Sequence, residues 1–417
     1  MKILFLTQVL PYPLFGGAKI RAYYVLRYLA ERHQVTLVSF VRDDDGEADV
    51  AHLRQFCHAV HTVPISRSSL KNGRSLLESL ARGKSLIILR DQLPEMERMV
   101  KSLVEKTSYD AIHADQTSMA QYALFARNIG NQKKQPRILL DQHNALYLVV
   151  KRQARYERGM MRLLWKREAR LLSRYESNLL REFDEIVTVT ANDRDALLDL
   201  LAETERIKKQ DHVTTVPICV DPANNPLLSR SEPSAKIVHL GTMFWPPNIE
   251  AVLWFANEIL PRIIKDVPTV SFVIAGKNPP NEVKALVSSE SIISKHIQVS
   301  GFLADPMPLL ASSKVFVVPL LAGGGMRVKI LDAWQWGIPV VSTTIGAEGI
   351  LNQPGENILL ADNPEAFANA VIRILTQSDL ADRLRKNGRV WVEKHFDWRK
   401  VYRRLDAIYS TLEPNPA

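Results

Sequence analysis

The sequence predicts an α/β protein built from two Rossmann-like domains, each a doubly wound parallel sheet. Two observations carry this expectation. Short apolar, strand-like runs alternate with helix-like runs from end to end, the pattern of parallel sheets with helical crossovers. The pattern also restarts midway, since each half opens with an apolar strand that runs into a glycine-containing turn and then a helix.

In the first half, strands are expected at Lys2–Leu6, Val35–Phe40, Ala111–Ala114, Ile138–Asp141 and Glu185–Thr190. In the second they are expected at Lys236–Leu240, Val270–Ala275, Ile297–Ser300, Val315–Pro319 and Pro339–Ser342. The first turn spans Pro11–Lys19 and holds Gly16-Gly17. The second spans Gly241–Asn248, with Pro246-Pro247 just before a helix, where proline is tolerated. The boundary falls in Val216–Pro233, a stretch with four prolines and little periodicity. The division is therefore residues 1–220, residues 221–395 and a C-terminal helix in 396–417. Trp398, Val401, Tyr402, Leu405, Ile408, Tyr409 and Leu412 give that last segment one apolar face, expected to pack back toward the first domain. Sheets of this kind bind ligands at the carboxyl ends of their strands. Two such sheets facing one another would form a cleft, a common place for a ligand.

Composition agrees with this layout. The chain has 417 residues, 46% hydrophobic and 24% charged, enough for two or three ordinary domains and too apolar for a disordered chain. No apolar run approaches the roughly 18 residues of a membrane-spanning helix. The opening run Ile3–Leu6 is broken by Thr7-Gln8 and followed by Pro11 and Pro13, so it reads as a buried strand rather than a signal peptide. A cytoplasmic location is expected. Cys57 and Cys219 are too few and too far apart for a disulfide framework or a metal site, and are expected to be reduced, buried thiols. The net charge of +9 fits a basic surface or attraction to phosphates, anionic lipid or nucleic acid, and does not choose among them.

The most informative stretch is VFVVPLLAGGGMRVKILDAWQWGIPVVSTTIGAEG, residues 315–349. A buried strand leads to Gly323-Gly324-Gly325, and a helix is expected from about Met326 to Trp336. Glycines before a helix expose backbone amides at its positive end, a setting for an anion such as a diphosphate. Arg327 and Lys329 are expected in the first turn, where cations oppose the helix dipole, and an anionic ligand would relieve that opposition. Asp332, further along, could accept hydrogen bonds from ribose hydroxyls. The plainer alternative is a tight glycine turn with solvated charges.

This stretch resembles the donor-binding motif of glycosyltransferase family 4, in a branch reading GGG-x-R-x-K-x-L-D/E-A that often accompanies exopolysaccharide systems. The resemblance extends over nearly the whole chain. It includes ILFLTQVLPYPLFGGAKIRAY, LLDQHNALY, REFDEIVTVTANDRDAL, VPICVD, HLGTMFWPPNIEAVLWF and FVIAGKNP. It implies a GT-B fold and a retaining, metal-independent transfer of sugar from a nucleoside-diphosphate sugar, with no cofactor, to a glycan or lipid-linked acceptor. Gly16 and Gly17 would approach the donor phosphates or the reacting centre. His143, after the strand Ile138–Asp141, matches the family histidine facing the transferred sugar, against the plainer reading of a core or capping histidine. His113 and Asp115, in AIHADQ, match positions near the cleft. Gly241, Gly323, Gly324, Gly325, Met326 and Asp332 would line the donor site, and closure of the domains would exclude water from it.

Two departures from the family pattern matter. The E-x7-E pair would fall at positions 324 and 332, where this chain has Gly324 and Asp332. The family's Arg and Lys after the first strand of the second domain are absent from Gly241–Asn248, so Arg327 and Lys329 are expected to neutralise the diphosphate instead. The missing first glutamate motivates an alternative, a degenerate GT-B protein that binds nucleotide sugar or a partner without turnover. Epimerisation of a sugar nucleotide on the same fold finds no matching motif. Asp43-Asp44-Asp45 formally resembles a D-x-D metal site, but lies in an acidic loop ahead of a helix and reads as solvated charge.

The segment Leu146–Phe183 is expected to form one long helix or two. Lys151, Arg155, Arg158, Arg162, Lys166, Arg170 and Arg174 recur at steps of three or four and make a drifting basic stripe. Met161, Leu164, Trp165, Leu172, Leu179 and Phe183 lie mostly on another face. The stripe is either a solvated face or a contact for an anionic membrane surface or lipid-phosphate acceptor. In the second case the protein would sit at the inner face of the membrane. No recognition fold, stacking aromatics or zinc spacing supports nucleic acid as a partner.

Overall fold

The computed structural model of the protein describes residues 1–66, 69–130, 135–229, 235–288 and 292–412. Residues 230–234 of the expected boundary segment, and everything after Leu412, lie outside the described residues. The chain divides into two compact units. Unit 1 comprises Met1–Cys219 and the described residues from Val401 onward, and unit 2 is Val220–Lys400.

Unit 1 is built on seven parallel strands: β1 (Lys2–Thr7), β2 (Gln34–Val41), β3 (Ala59–Pro64), β4 (Ala111–Asp115), β5 (Arg137–Gln142), β6 (Glu185–Thr188) and β7 (Val213–Thr215). They run in the order β3-β2-β1-β4-β5-β6-β7. Unit 2 has β8 (Lys236–Leu240), β9 (Ser271–Ala275), β10 (Ile297–Gly301), β11 (Val315–Val318), β12 (Val340–Ser342) and β13 (Leu359–Leu360). Their order is β10-β9-β8-β11-β12-β13, again all parallel. Both sheets therefore follow the doubly wound plan, in which strand order reverses beside the first strand. The crevice outside the carboxyl ends at that reversal is the usual ligand position. The reversals lie between β1 and β4 and between β8 and β11.

Helices cover both faces, so the central strands are buried on both sides and apolar almost throughout. Polar residues break that rule at the carboxyl ends. Thr7 on β1 is in register with Asp115 on β4, which is in register with Asp141 on β5, and all three are fully buried.

Two of the helical expectations are corrected. The helix after the triple glycine spans Val328–Gln335, not Met326–Trp336. Arg327 precedes it with non-helical angles (φ −93°, ψ 82°), so only Lys329 lies in its first turn. The C-terminal segment is two short helices, Trp398–Val401 and Arg404–Thr411, rather than one. The basic segment forms two helices, Leu146–Gln153 and Gly159–Glu182, one of the two arrangements expected. Of its supposed apolar face, Leu172, Leu179 and Phe183 are buried, but Met161 is exposed.

The Gly159–Glu182 helix is anchored by two buried carboxylates. Glu168 accepts hydrogen bonds from the Leu86 and Ile87 amides (3.1 and 3.0 Å), and Glu176 from those of Leu146 and Tyr147 (2.7 and 2.8 Å). Each satisfies the open first turn of another helix, Leu86–Arg90 or Leu146–Gln153. Cys57 and Cys219 are buried thiols, and burial pushes the Cys57 thiol up to about 12. Among the described residues, no helix is long and apolar enough to cross a membrane.

Candidate functional site

In unit 2 the first turn of the Val328–Gln335 helix meets the carboxyl end of β8. The Lys329 ammonium donates to Asn248 Oδ1 at 3.2 Å, and Asn248 Nδ2 donates to the Thr242 carbonyl at 3.0 Å. A Cβ on Gly241 would lie 2.9 Å from Lys329 Nζ and 2.7 Å from Asn248 Nδ2. One half-buried cation is thus held against the backbone where β8 ends. Burial, and then the nearby charge of Arg327, push Lys329 down to about 7. Arg327 itself is buried, stands 5.6 Å over the Trp245 ring, and donates to the Gly324 carbonyl and, at 2.7 Å, to that of Gly325. A Cβ on Gly323 would collide with its guanidinium at 2.3 Å. Gly241, Gly323, Gly324, Gly325, Arg327 and Lys329 therefore come together around one turn. Met326 is partly buried in the same loop. Asp332 lies one turn beyond Lys329 and accepts from Gln335 Nε2 at 2.9 Å, and burial pushes its carboxyl up to about 7.

The tightest point in this turn is Gly276, just after β9. A Cβ there would lie 1.7 Å from the Gly241 carbonyl oxygen, an approach no side chain permits. Gly276→Ala must displace the Gly241 turn, at a cost of about 1–3 kcal/mol by analogy with overpacked cores. The expected result is a lower unfolding midpoint together with weaker nucleotide binding, measured by thermal melts with and without UDP.

In unit 1, the sheet row at the carboxyl ends of β1, β4 and β5 holds a connected set of polar groups. His143 Nε2 bonds Asp115 Oδ1 at 2.8 Å, and the Thr7 hydroxyl lies 3.1 Å from the other Asp115 oxygen. Burial alone would lower the His143 imidazole. The charge and hydrogen bond of Asp115, with Asp141 nearby, outweigh it and hold the imidazole above its ordinary range. The Arg21 guanidinium grips both oxygens of Asp141, Nε at 3.0 Å and Nη2 at 3.1 Å. Its remaining nitrogen donates to the Val216 and Pro217 carbonyls, both at 2.8 Å.

His113 is placed differently from His143. It is fully buried, stacked on Phe5 at 4.3 Å and bonded through Nδ1 to the Tyr409 hydroxyl at 2.7 Å. Burial pushes it down to about 4, so it is a neutral core histidine at ordinary pH. Potential ligand atoms of His113, Asp115 and Asp141 lie within 4.8 Å of one another. That geometry alone would admit a cation, but the Arg21 guanidinium already compensates the Asp141 charge and would repel one. Asp45, in the acidic loop, accepts from Lys19 at 2.8 Å and from the Arg42 amide.

Gly16 and Gly17 begin the Gly17–Ala30 helix, which follows β1. Gly16 has φ 90° and ψ 155°, a region essentially open only to glycine. The N-cap residue, Gly16, has no side chain with which to cap this helix, whose first amides are of the kind that bind anions.

Sequence reasoning did not single out Arg21, Thr7, Trp245 or Asn248 as site-building residues. Arg21 and Asp141 are 120 positions apart, and Asn248 and Lys329 are 81 apart, so no local spacing links them. Gly276 carried a readable signal, a glycine directly after an apolar strand.

The same architecture recurs in known proteins. A family model described as a glycosyl transferase 4-like domain matches residues 16–208, and one described as glycosyl transferases group 1 matches residues 234–377. The chain belongs to this family and is a glycosyltransferase of GT-B fold. It is 22% identical over 411 residues to a 44.6 kDa protein in the cps region of Klebsiella pneumoniae, covering 96% of this chain and 98% of that one. It is 28% identical over 169 residues to the Escherichia coli UDP-Gal:alpha-D-GlcNAc-diphosphoundecaprenol alpha-1,3-galactosyltransferase, covering 39% of this chain and 42% of that enzyme. Among solved structures, Anabaena HepE in complex with UDP superposes with a TM-score of 0.66 at 17% identity, covering 99% of this chain and all of the other (100%).

Proposed function

We infer that the chain moves a sugar from a nucleoside-diphosphate sugar, with retention and without a metal, onto a glycan or lipid-linked acceptor in surface polysaccharide or glycolipid assembly. The reading rests on one observation above the others. The chain holds a half-buried ammonium, Lys329, beside the glycine turn after β8, and a buried guanidinium, Arg327, within the triple-glycine loop. Positive charges held away from water are costly, and an anion seated in this turn would offset that cost. A leaving nucleoside diphosphate is such an anion, and preorganised donors can stabilise it in the transition state by a few kcal/mol each. These two cations would supply the neutralisation that a divalent ion supplies in other transferases. The exopolysaccharide branch agrees with the cps-region relative, and the nucleotide donor agrees with the UDP-bound neighbour. Activity at the cytoplasmic face, where nucleotide sugars are made, follows from the same reading.

The remaining roles complete the proposal. Gly16 and Gly17 offer amides to the donor, and Asp332 accepts from the ribose. His143, oriented by its bond to Asp115, faces the transferred sugar with its other ring nitrogen. Asp115 is then a positioning residue for His143, and His113 a structural one.

Assay of donor hydrolysis and transfer with a panel of UDP-, GDP- and ADP-sugars tests the reading. Turnover of one donor, lost in His143→Ala, supports it. Tight nucleotide binding with no turnover under any acceptor would instead favour the degenerate alternative.

A pH signature should accompany binding. The free Lys329 side chain titrates near 7, and a bound diphosphate raises that value. Binding above pH 7 therefore takes up a proton, and the Kd for UDP should rise with pH by up to about ten-fold per unit. Below pH 7 this effect disappears. Asp332, also near 7, acts in the opposite sense, because its ionised form is the better acceptor. Calorimetry in buffers of different ionisation enthalpy should show proton uptake at pH 8 for the wild type and none for Lys329→Met.

A further inference from the structure

We propose that Gln116, with Ser118 beside it, binds hydroxyl groups of the transferred sugar in unit 1. Gln116 follows β4 directly and has φ 73° and ψ 153°. Gly16 has similar angles, in a region that side chains rarely enter. Among the described residues the other non-glycine with positive φ is Asn278, at φ 57°, a value that asparagine adopts with less strain. Nothing in the backbone at Gln116 calls for a side chain. Its N–H donates to the Asp141 carbonyl at 2.9 Å, and its carbonyl accepts from the Met119 amide at 3.0 Å. Glycine would make both bonds without strain. The chain instead holds a strained glutamine at the junction of β4 and the Thr117–Met119 turn. Strain of this kind persists where the surroundings enforce it, and it gathers at ligand sites.

The side chains supply a second, independent observation. The Gln116 amide nitrogen is buried and has no hydrogen-bond partner among the described residues, and the same holds for the Ser118 hydroxyl. Buried polar groups are normally satisfied, and one left open carries the cost of its lost hydration. This turn thus carries an amide donor and a hydroxyl that the protein itself does not use. Gln116, Thr117, Ser118 and Met119 are all uncharged, so the turn offers no cation to a phosphate. An amide beside a hydroxyl suits sugar hydroxyls, which both give and accept hydrogen bonds. Position names the sugar. Asp115, the preceding residue, bonds His143 Nε2 at 2.8 Å, and Asp141, whose carbonyl holds the Gln116 backbone, is in register with Asp115. The turn is therefore fixed to the same strand ends as the imidazole. The inference rests on the reading that His143 faces the transferred sugar, and it adds the groups that recognise that sugar's hydroxyl pattern.

Binding and donor hydrolysis by variants of the full chain test it. The probes are UDP-glucose, UDP-galactose, GDP-mannose and ADP-glucose, each compared with its own nucleoside diphosphate. Gln116→Gly and Gln116→Ala should both weaken binding of the accepted sugar nucleotide about ten-fold and leave that of the bare diphosphate unchanged. Donor hydrolysis should fall by at least as much. Stability should separate the two variants. Gln116→Gly relieves the strain and should melt about 2 °C above the wild type, whereas Gln116→Ala keeps the strain and should not. Gln116→Glu keeps the shape but gives up the amide donor, so it should match Gln116→Ala in binding. Ser118→Ala should weaken the same binding about five-fold. Wild-type affinity and hydrolysis in Gln116→Gly would overturn the proposal, and so would an equal loss of affinity for the bare diphosphate. Intact hydrolysis with lost transfer to an added acceptor would overturn it too, since that gives the turn to the acceptor. His143→Ala keeps the two readings apart. If it hydrolyses donor like the wild type while the Gln116 variants do not, the role of His143 fails and the sugar subsite stands.

Discussion

Replacing Arg327 and Lys329 together by alanine is expected to raise the Kd for UDP by about 1,000-fold, since hydrogen bonds from charged groups contribute roughly 1.5–3 kcal/mol each. The two residues differ in what else they do. Arg327 also ties the Gly324 and Gly325 carbonyls, so its removal loosens the loop that presents the amides. Lys329 donates to Asn248, and Lys329→Met removes charge with little loss of volume. Lys329→Met should therefore weaken binding by about 10- to 100-fold while leaving the fold intact or slightly more stable, because a desolvated ammonium is removed. Isothermal titration with UDP, alongside melting curves, separates the two effects. Unchanged UDP affinity in the double variant would remove the diphosphate from this loop.

The second large effect is on stability. Arg21→Met should cost about 3–5 kcal/mol, because it leaves the Asp141 carboxylate buried and unpaired. It also strips the Val216 and Pro217 carbonyls of a donor. For a unit of this size that corresponds to a fall of roughly 10 °C in the melting temperature. Asp141→Asn should cost less, as the amide still accepts one bond from Arg21. The paired change Arg21→Met with Asp141→Leu should recover part of the loss, since apolar pairs often replace buried ion pairs without penalty. Calorimetry of the three variants checks the pattern. A loss below 1 kcal/mol in Arg21→Met would mean that water reaches Asp141 and that the pair is not buried as described.

The sequence made the central strands legible and the edges obscure. Every strand expected from apolar runs is present, within two residues at each end. The strands not expected, β3, β7 and β13, all lie at sheet edges. Edge strands need bury only one side, and β3, read as AVHTVP, is half-exposed along most of its length. The other two are three and two residues long, too short for any periodicity. The helix after the triple glycine was placed too early for a different reason. Met326 and Arg327 have ordinary helix propensity, but the Arg327 side chain folds back onto the glycine carbonyls and its backbone stays outside the helical region. In the candidate site, residues within a single turn or motif could be read locally. The groups that orient them, such as Asn248 for Lys329, Asp115 for His143 and Arg21 for Asp141, come from distant chain segments and have meaning only after folding.

The discontinuity of unit 1 has a consequence for biogenesis. The His113 imidazole on β4 finds its Nδ1 partner in Tyr409, 296 positions later, and Tyr28 finds Asp406 at 2.8 Å. During vectorial synthesis the first sheet can assemble early, yet His113 and Tyr28 wait for the segment that follows unit 2. The whole of unit 2 emerges in the interval. The seven strands of the first sheet thus exist without this partner while unit 2 is made, and a stop codon shortly before Tyr409 would leave the buried His113 imidazole without the hydroxyl that it bonds.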